Sequence, residues 1–330
     1  MGRADKQLNR RQVLLLTGAA ALSLRTPGVH AAPPMPRTPI DFSLPLNACD
    51  CHVHIIGDPA RFPMASGRVY TPPPASPDDF LALQAALHLQ RVVLVQPSVY
   101  GTDNAAMLNG LARISSVGLQ ACGVAVVDDI ATPSALDRLR AAGVAGLRIN
   151  LETAGQTDPD AGRKRLQAAI ALCAPRGWHI QLYTRPTVIA AMAADLAASP
   201  VPLVFDHFGG AQAAQGLAQP GFDAVLSLVR SGKAYVKISA AYRATSEPAP
   251  YSDVTPLAQA LVAANPGRVL WGSDWPHTDA TKVAGRAATD IAPFYPIDDG
   301  LVLNQLPQWV PDPALRRKIL VDNPARLYGF

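Results

Sequence analysis

The sequence predicts an α/β protein: a (β/α)8 TIM barrel in a single domain, with a Pro-rich N-terminal leader and a C-terminal helical extension. Three observations predict it. Eight short apolar runs alternate with helix-like stretches, the order expected of a parallel barrel. Residues able to carry chemistry gather at the C-terminal ends of those runs, the end where barrel enzymes build their sites. No Gly-rich phosphate fingerprint follows the first run, which counts against a doubly wound open sheet.

Strand-like runs occur near 46–54, 91–97, 119–127, 144–149, 178–184, 201–207, 234–239 and 268–274. Helical patterns lie between them near 77–90, 104–116, 133–142, 160–175, 186–198, 221–231 and 253–264. Ser76-Pro77-Asp78-Asp79 and Thr132-Pro133 read as helix starts, a capping side chain followed by a proline whose missing N–H costs nothing there. Gly177 reads as a helix stop just before a strand. The connection Ile55–Ser76, with Arg61, Phe62, Arg68, Tyr70 and three consecutive prolines, is long enough to read as functional. The tail beyond Trp275 is expected to pack as one or two helices over the barrel.

Residues 1–31 read as an export signal. Arg10-Arg11 precede an apolar run from Val13 to Leu24, and Val29-His30-Ala31 offers small residues at the two positions a signal peptidase reads. The pair of arginines is twin-arginine-like, and the run is short for an uncleaved anchor. A periplasmic or secreted protein is expected, with 32–44 as leader and 45–330 as barrel. No later segment reads as a membrane span. A chain of 330 residues with 49% hydrophobic and 16% charged residues and a net charge of +4 is compact and globular. It lacks basic clusters interleaved with aromatics, so nucleic acid is excluded as a partner. A small molecule is the expected partner, and no sequence feature specifies an oligomeric state.

Side chains alternate along a strand, so Asp50, His52 and His54 are expected to share a face. Cys49 and Cys51 then fall on the opposite face, packed against helices. The four cysteines, with Cys122 and Cys173, show no disulfide framework. In one barrel His52 and His54 would converge with His207 at the sixth strand and Asp274 at the eighth. That constellation can hold a metal, polarise a carbonyl or pass protons. His179 starts its strand and belongs to the opposite, stability face. His277 follows the last strand, at the rim or on the surface. Arg148 and Arg243 follow the fourth and seventh strands, where arginine either binds a substrate carboxylate or pairs with a neighbouring aspartate.

At Asp50-Cys-His-Val-His54, Gly146-Leu-Arg148, Asp206-His-Phe-Gly209 and Trp271-Gly-Ser-Asp-Trp-Pro-His277 the chain resembles the amidohydrolase superfamily. More narrowly it resembles the lactone-hydrolysing branch that includes 2-pyrone-4,6-dicarboxylate lactonase, sugar lactonases and D-galactarolactone isomerase. The resemblance implies a reaction centre of His52, His54, His207 and Asp274, with Tyr70, Ser98, Arg148, Tyr183 and Arg243 holding substrate. It implies hydrolysis of a small carboxylated lactone of sugar-acid or pyrone type. Asp274 would act as general base on water, and the histidines would polarise the carbonyl. Alternatives are a lactone isomerase on the same site, a zinc-dependent hydrolase or decarboxylase of the superfamily, and a non-catalytic exported sugar-acid binding protein. Arg148 stands where binuclear members carry a carboxylated lysine, and Tyr183 where many carry a histidine. No resident metal is therefore expected; a single zinc on His52, His54 and Asp274 is the alternative.

Overall fold

The computed structural model describes residues 1–2, 32–281 and 283–330. The export signal expected in residues 1–31 lies, from residue 3 on, outside the described residues. Eight parallel strands pair in chain order: β1 Cys49–Val53, β2 Arg91–Val95, β3 Gln120–Ala125, β4 Val144–Asn150, β5 His179–Tyr183, β6 Leu203–Phe205, β7 Ala234–Ser239 and β8 Val269–Gly272. The first and last strands meet just past β8, where Val53 bridges Trp275 in parallel. There Asp274 N donates to His52 O at 2.9 Å and His54 N to Trp275 O at 2.8 Å. This seam completes a nearly closed (β/α)8 barrel.

The helices are α1 Pro77–Ala86, α2 Ala105–Ser115, α3 Pro133–Ala141, α4 Pro159–Cys173, α5 Pro186–Ala191, α6 Ala193–Ala198, α7 Phe222–Arg230, α8 Ala241–Ala244 and α9 Thr255–Ala264. The cap of α1 forms as read: Ser76 Oγ accepts from Asp79 N, and the Asp79 carboxylate accepts from Ser76 N. The single helix expected over 186–198 is divided at Met192, whose backbone leaves the helical region (φ −102°, ψ 8°). The single turn α8 escaped notice, being too short for any periodicity.

Alternation along β2 sorts the core. Val92 and Leu94 belong to the large cluster under the helices, whereas Val93 and Val95 join a smaller cluster with Cys51, Cys122, Val204 and Leu270. That smaller cluster draws on strands all around the sheet and therefore fills the barrel interior. Cys49 and Cys51 lie in it, not against the helices as expected. The reason is a β-bulge. Asp50 pairs with Val92 but Val53 with Leu94, so three residues of β1 oppose two of β2. Cys51 and His52 then both face inward, and Asp50 turns away from the histidines. Its Oδ1 instead accepts from His52 N at 3.1 Å and Ser273 N at 3.0 Å, tying the seam together. Gly272 is required at this crossing, because a Cβ there would meet His52 Cβ at 2.8 Å.

The tail differs from the expected one or two helices. Prolines at 307, 313 and 324 divide it into Asp299–Leu303, Leu306–Trp309, Pro313–Arg317 and Asn323–Tyr328, with a π-turn at Lys318–Asp322. Tyr328 reaches the N-terminal end of the barrel and meets the His179 ring edge-on, centroids 5.2 Å apart. The Pro-rich leader packs along the other end of this tail. Thr38 Oγ1 donates to Asp298 Oδ2 at 2.7 Å, and Trp275 Nε1 donates to Pro34 O at 3.0 Å. Among the described residues no helix is long and apolar enough to cross a membrane.

Candidate active site

The strand ends place three imidazoles around one oxygen. Asp274 Oδ1 lies 3.5 Å from His52 Nε2, 3.6 Å from His54 Nε2 and 3.7 Å from His207 Nε2, and the four side chains are nearly or wholly buried. Both His207 (φ 48°) and Asp274 (φ 69°) adopt the left-handed backbone region, unusual for residues with a Cβ. That turn aims each side chain back over the barrel mouth. The other oxygen of Asp274 is occupied: Oδ2 accepts from Tyr242 OH at 2.6 Å and from Arg243 Nε at 2.7 Å. Oδ1 has no hydrogen-bond partner among the described residues. Burial pushes the Asp274 carboxyl up, but Arg243, His207 and His54 outweigh it, holding its pKa well below the carboxylate range.

Each histidine is fixed from behind. His54 Nδ1 lies 2.7 Å from Val95 O, and a carbonyl only accepts, so Nδ1 carries a proton and donates. His207 Nδ1 lies 2.9 Å from Ser239 Oγ. Burial is the main reason its pKa is pushed down to about 4, with Asp274 and Asp206 opposing. His52 Nδ1 sits 3.2 Å from both Asp206 Oδ1 and Lys237 Nζ. Burial and then Lys237 push its pKa well below the ordinary value, so the ring is neutral at physiological pH.

A cavity of about 430 Å³ opens over this cluster. His54, His207 and Asp274 line it together with Tyr70, Ser98, Arg148, Tyr183 and Arg243, while His52 lies buried behind them. The structure thus gathers all nine residues singled out from the sequence at one end of the barrel. A neighbouring cavity of about 440 Å³ shares Ser98 and Arg148 but is lined by none of the histidines nor Asp274. The arginines are not free. Arg243 Nη2 donates to Thr278 O at 2.9 Å besides its bond to Asp274, and Arg148 Nη2 lies 3.5 Å from Asp206 Oδ2. The pairing reading of these arginines therefore describes both.

Sequence reasoning passed over Asp206, Lys237, Gln181 and Tyr242. The first three form a layer under His52. A signal existed: in Ala234-Tyr-Val-Lys-Ile-Ser239 the inward positions Tyr235, Lys237 and Ser239 interrupt an otherwise apolar strand. His277 was placed at the rim or surface, but it is fully buried, with Nε2 3.0 Å from Asp299 Oδ2.

The donor set fits a metal. An orphaned carboxylate oxygen faces imidazole nitrogens, and His52 Nε2 is 3.3 Å from His54 Nε2. Ligands at about 2.0–2.1 Å around tetrahedral zinc are about 3.3–3.5 Å apart. His52, His54 and Asp274 form one group with ligand atoms close enough for a single ion; His52, Asp206 and His207 form another.

Residues 49–330 match the amidohydrolase family, and the chain belongs to it. It is 34% identical to 4-sulfomuconolactone hydrolase of Rhizobium radiobacter, across 88% of this chain and 93% of that protein. It is 33% identical to a 2-pyrone-4,6-dicarboxylate hydrolase of Comamonas testosteroni, across 92% of this chain and 97% of that protein. The apo structure of an Agrobacterium tumefaciens protein superposes with a TM-score of 0.72 at 25% identity, covering 88% of this chain and 98% of that one.

Proposed function

We propose that the protein is a lactonase that opens the ring of a small carboxylated lactone of sugar-acid or pyrone type. The carrying observation is the single carboxylate oxygen, Asp274 Oδ1, left without a hydrogen bond at the floor of a cavity and faced by three imidazoles. Such an oxygen is free to accept a proton from water, while an imidazole N–H beside it can donate to the lactone carbonyl as charge develops there. Tyr242 and Arg243 hold Oδ2, so the carboxylate is oriented and ionised before substrate arrives. The catalytic group is then His52, His54, His207 and Asp274, with Tyr70, Ser98, Arg148, Tyr183 and Arg243 around the substrate.

Charge supports the carboxylated class. Among the described residues Lys237, Arg148 and Arg243 form ion pairs only with Asp206 and Asp274, three positive charges against two negative. An anionic substrate supplies the missing counter-charge. The relatives named above act, by their names, on lactones bearing sulfonate or carboxylate groups. A metal ion, if held, would sit on His52, His54 and Asp274 and would polarise the carbonyl and acidify water.

A panel of lactones, charged and neutral, tests the reading. Metal-stripped and zinc-loaded protein are assayed side by side, with products followed by NMR. Ring-opened acid from a carboxylated lactone is the expected result. Migration of the ring without water uptake would assign an isomerase, and no turnover of any lactone would reject the reading. We further propose that residues 1–31 direct export, as their sequence pattern suggests. N-terminal sequencing of the protein from a periplasmic fraction, expected to begin at Ala32, tests it.

A further inference from the structure

Beneath His52, on the barrel axis, lies a lysine with no access to solvent. Lys237 Nζ is 2.7 Å from Gln181 Oε1, 3.2 Å from His52 Nδ1 and 3.3 Å from Asp206 Oδ1. An ammonium has three protons and accepts nothing, so Gln181 Oε1 and His52 Nδ1 stand as its acceptors and Asp206 Oδ1 as the counter-charge beside them. Gln181 in turn donates from Nε2 to Asp206 Oδ2 at 3.0 Å, which keeps its own oxygen turned toward the lysine. Burying a lysine in such a place is costly, and the cost is tolerated only where the charge is matched.

His52 has two ways to place its one ring proton. With the proton on Nδ1, it must donate to Asp206 Oδ1, the ammonium must give up that nitrogen, and Nε2 is bare. With the proton on Nε2, Nδ1 accepts from Lys237. The distances to Asp206 and Lys237 are equal, but the bonding is not. Asp206 Oδ1 makes no hydrogen bond to a described group, whereas Lys237 Nζ lies at hydrogen-bond distance from Nδ1 and keeps a donor there. The far side of the ring agrees. In the His54 tautomer that donates from Nδ1 to Val95 O, Nε2 is an acceptor, and it lies 3.3 Å from His52 Nε2. Two bare nitrogens at that distance repel unless a cation separates them. A proton on His52 Nε2 turns the contact into a hydrogen bond.

We propose that Lys237 is a positioning residue that selects the tautomer of His52: by donating to Nδ1 it keeps the ring proton on Nε2, facing the reaction centre. His52 is thereby a hydrogen-bond donor at rest, ready for a carbonyl oxygen, and a poorer metal ligand than its spacing alone suggests. The chain can exchange the two states. Without the ammonium at Nδ1, His52 donates to Asp206 Oδ1 and its bare Nε2 joins His54 and Asp274 as a ligand.

The inference rests on His52 belonging to the reaction centre, but its readout needs no substrate, so a failed lactone panel leaves it standing. Protein labelled with 15N-histidine is examined by long-range 1H–15N correlation, with His52 assigned by its loss in His52→Asn. Metal-free wild type is expected to carry the His52 proton on Nε2. Lys237→Met is expected to move it to Nδ1 and to tighten zinc binding by at least ~10-fold, the scale on which partners behind a ligand act. A merely structural lysine would move neither. An Nδ1 proton in the wild type overturns the proposal, and so does a folded Lys237→Met with unchanged tautomer and unchanged zinc affinity. Should Lys237→Met fail to fold, the wild-type spectrum decides alone.

Discussion

The two ends of the barrel interior each carry histidine, and they treat it in opposite ways. At the N-terminal end His179 lies between Tyr328 and Gly146, with neither ring nitrogen bonded to any described group. Burial is the main reason its pKa is pushed down to about 3, and the ring acts as an apolar slab. Around it the interior is filled by Val93, Val204 and Leu270 and by cysteines, with burial pushing the Cys49 thiol up and the Cys122 thiol up to about 12. At the C-terminal end His52, His54 and His207 each have a partner behind the ring and a carboxylate oxygen in front. The difference teaches that burial alone makes a histidine inert, and that directed partners on both nitrogens give it a role.

The strongest way to break this comparison is to remove the shared oxygen. Asp274→Asn is expected to lower turnover of the preferred lactone by at least ~10²-fold with little change in substrate binding, since proton acceptance is lost and shape is kept. Steady-state kinetics with a competitive-inhibitor titration would measure it, and near-wild-type turnover would remove Asp274 from the mechanism.

Arg243→Ala comes next. The family resemblance gave Arg243 to the substrate, a role whose loss would raise mainly KM. With Nε on Asp274 Oδ2, its loss also unlocks the carboxylate. Removing one member of a buried ion pair costs on the order of 3–5 kcal/mol. Both kcat and KM should therefore worsen, together by ~10²-fold or more, with a larger loss on carboxylated than on neutral lactones. Equal losses on both would show that Arg243 serves Asp274 alone.

Asp50 sharpens the comparison at the seam. Burial is the main reason its carboxyl is raised to about 7, although it accepts two backbone N–H bonds. The folded state thus keeps a proton that the unfolded chain, near 3.8, has released. Stability from this group falls as pH rises from about 4 to about 7. Asp50→Asn keeps the acceptor and removes the charge. Its gain over wild type should grow across that window to about 4 kcal/mol, read by urea unfolding at several pH values. A difference that stays flat with pH would mean that Asp50 stays ionised in the fold.

The smallest effect is expected at the inert end. His179→Leu replaces an unpartnered buried ring by an apolar side chain and should leave kcat/KM within about twofold and stability nearly unchanged. A large loss of activity would tie the two ends together.

Much of this was legible in the chain. Apolar runs gave the strands and their order, and the residues at their ends gave the histidines, Asp274 and the two arginines; Tyr70, Ser98 and Tyr183 came only with the family resemblance. Three features were not legible, each for a physical reason. One extra residue in β1 reverses the facing of Asp50 and Cys51, and no composition rule marks a bulge. Tyr242 rides on a single helical turn, so its reach to Asp274 depends on the left-handed Ala240 before it (φ 52°). His277 follows the last strand, where sequence suggests a rim, but the tail folds back and supplies Asp299 to cover it.

The seam has a consequence for how the protein comes into being. Three of the four central groups precede residue 210, while Asp274 arrives only with the last strand and is fixed by its backbone bond to His52. During synthesis the ribosome releases seven strands and every central histidine before the carboxylate exists. The growing chain therefore lacks the assembled cluster of imidazoles and carboxylate until the last strand has found the first, so the proposed activity waits on the closing of the seam.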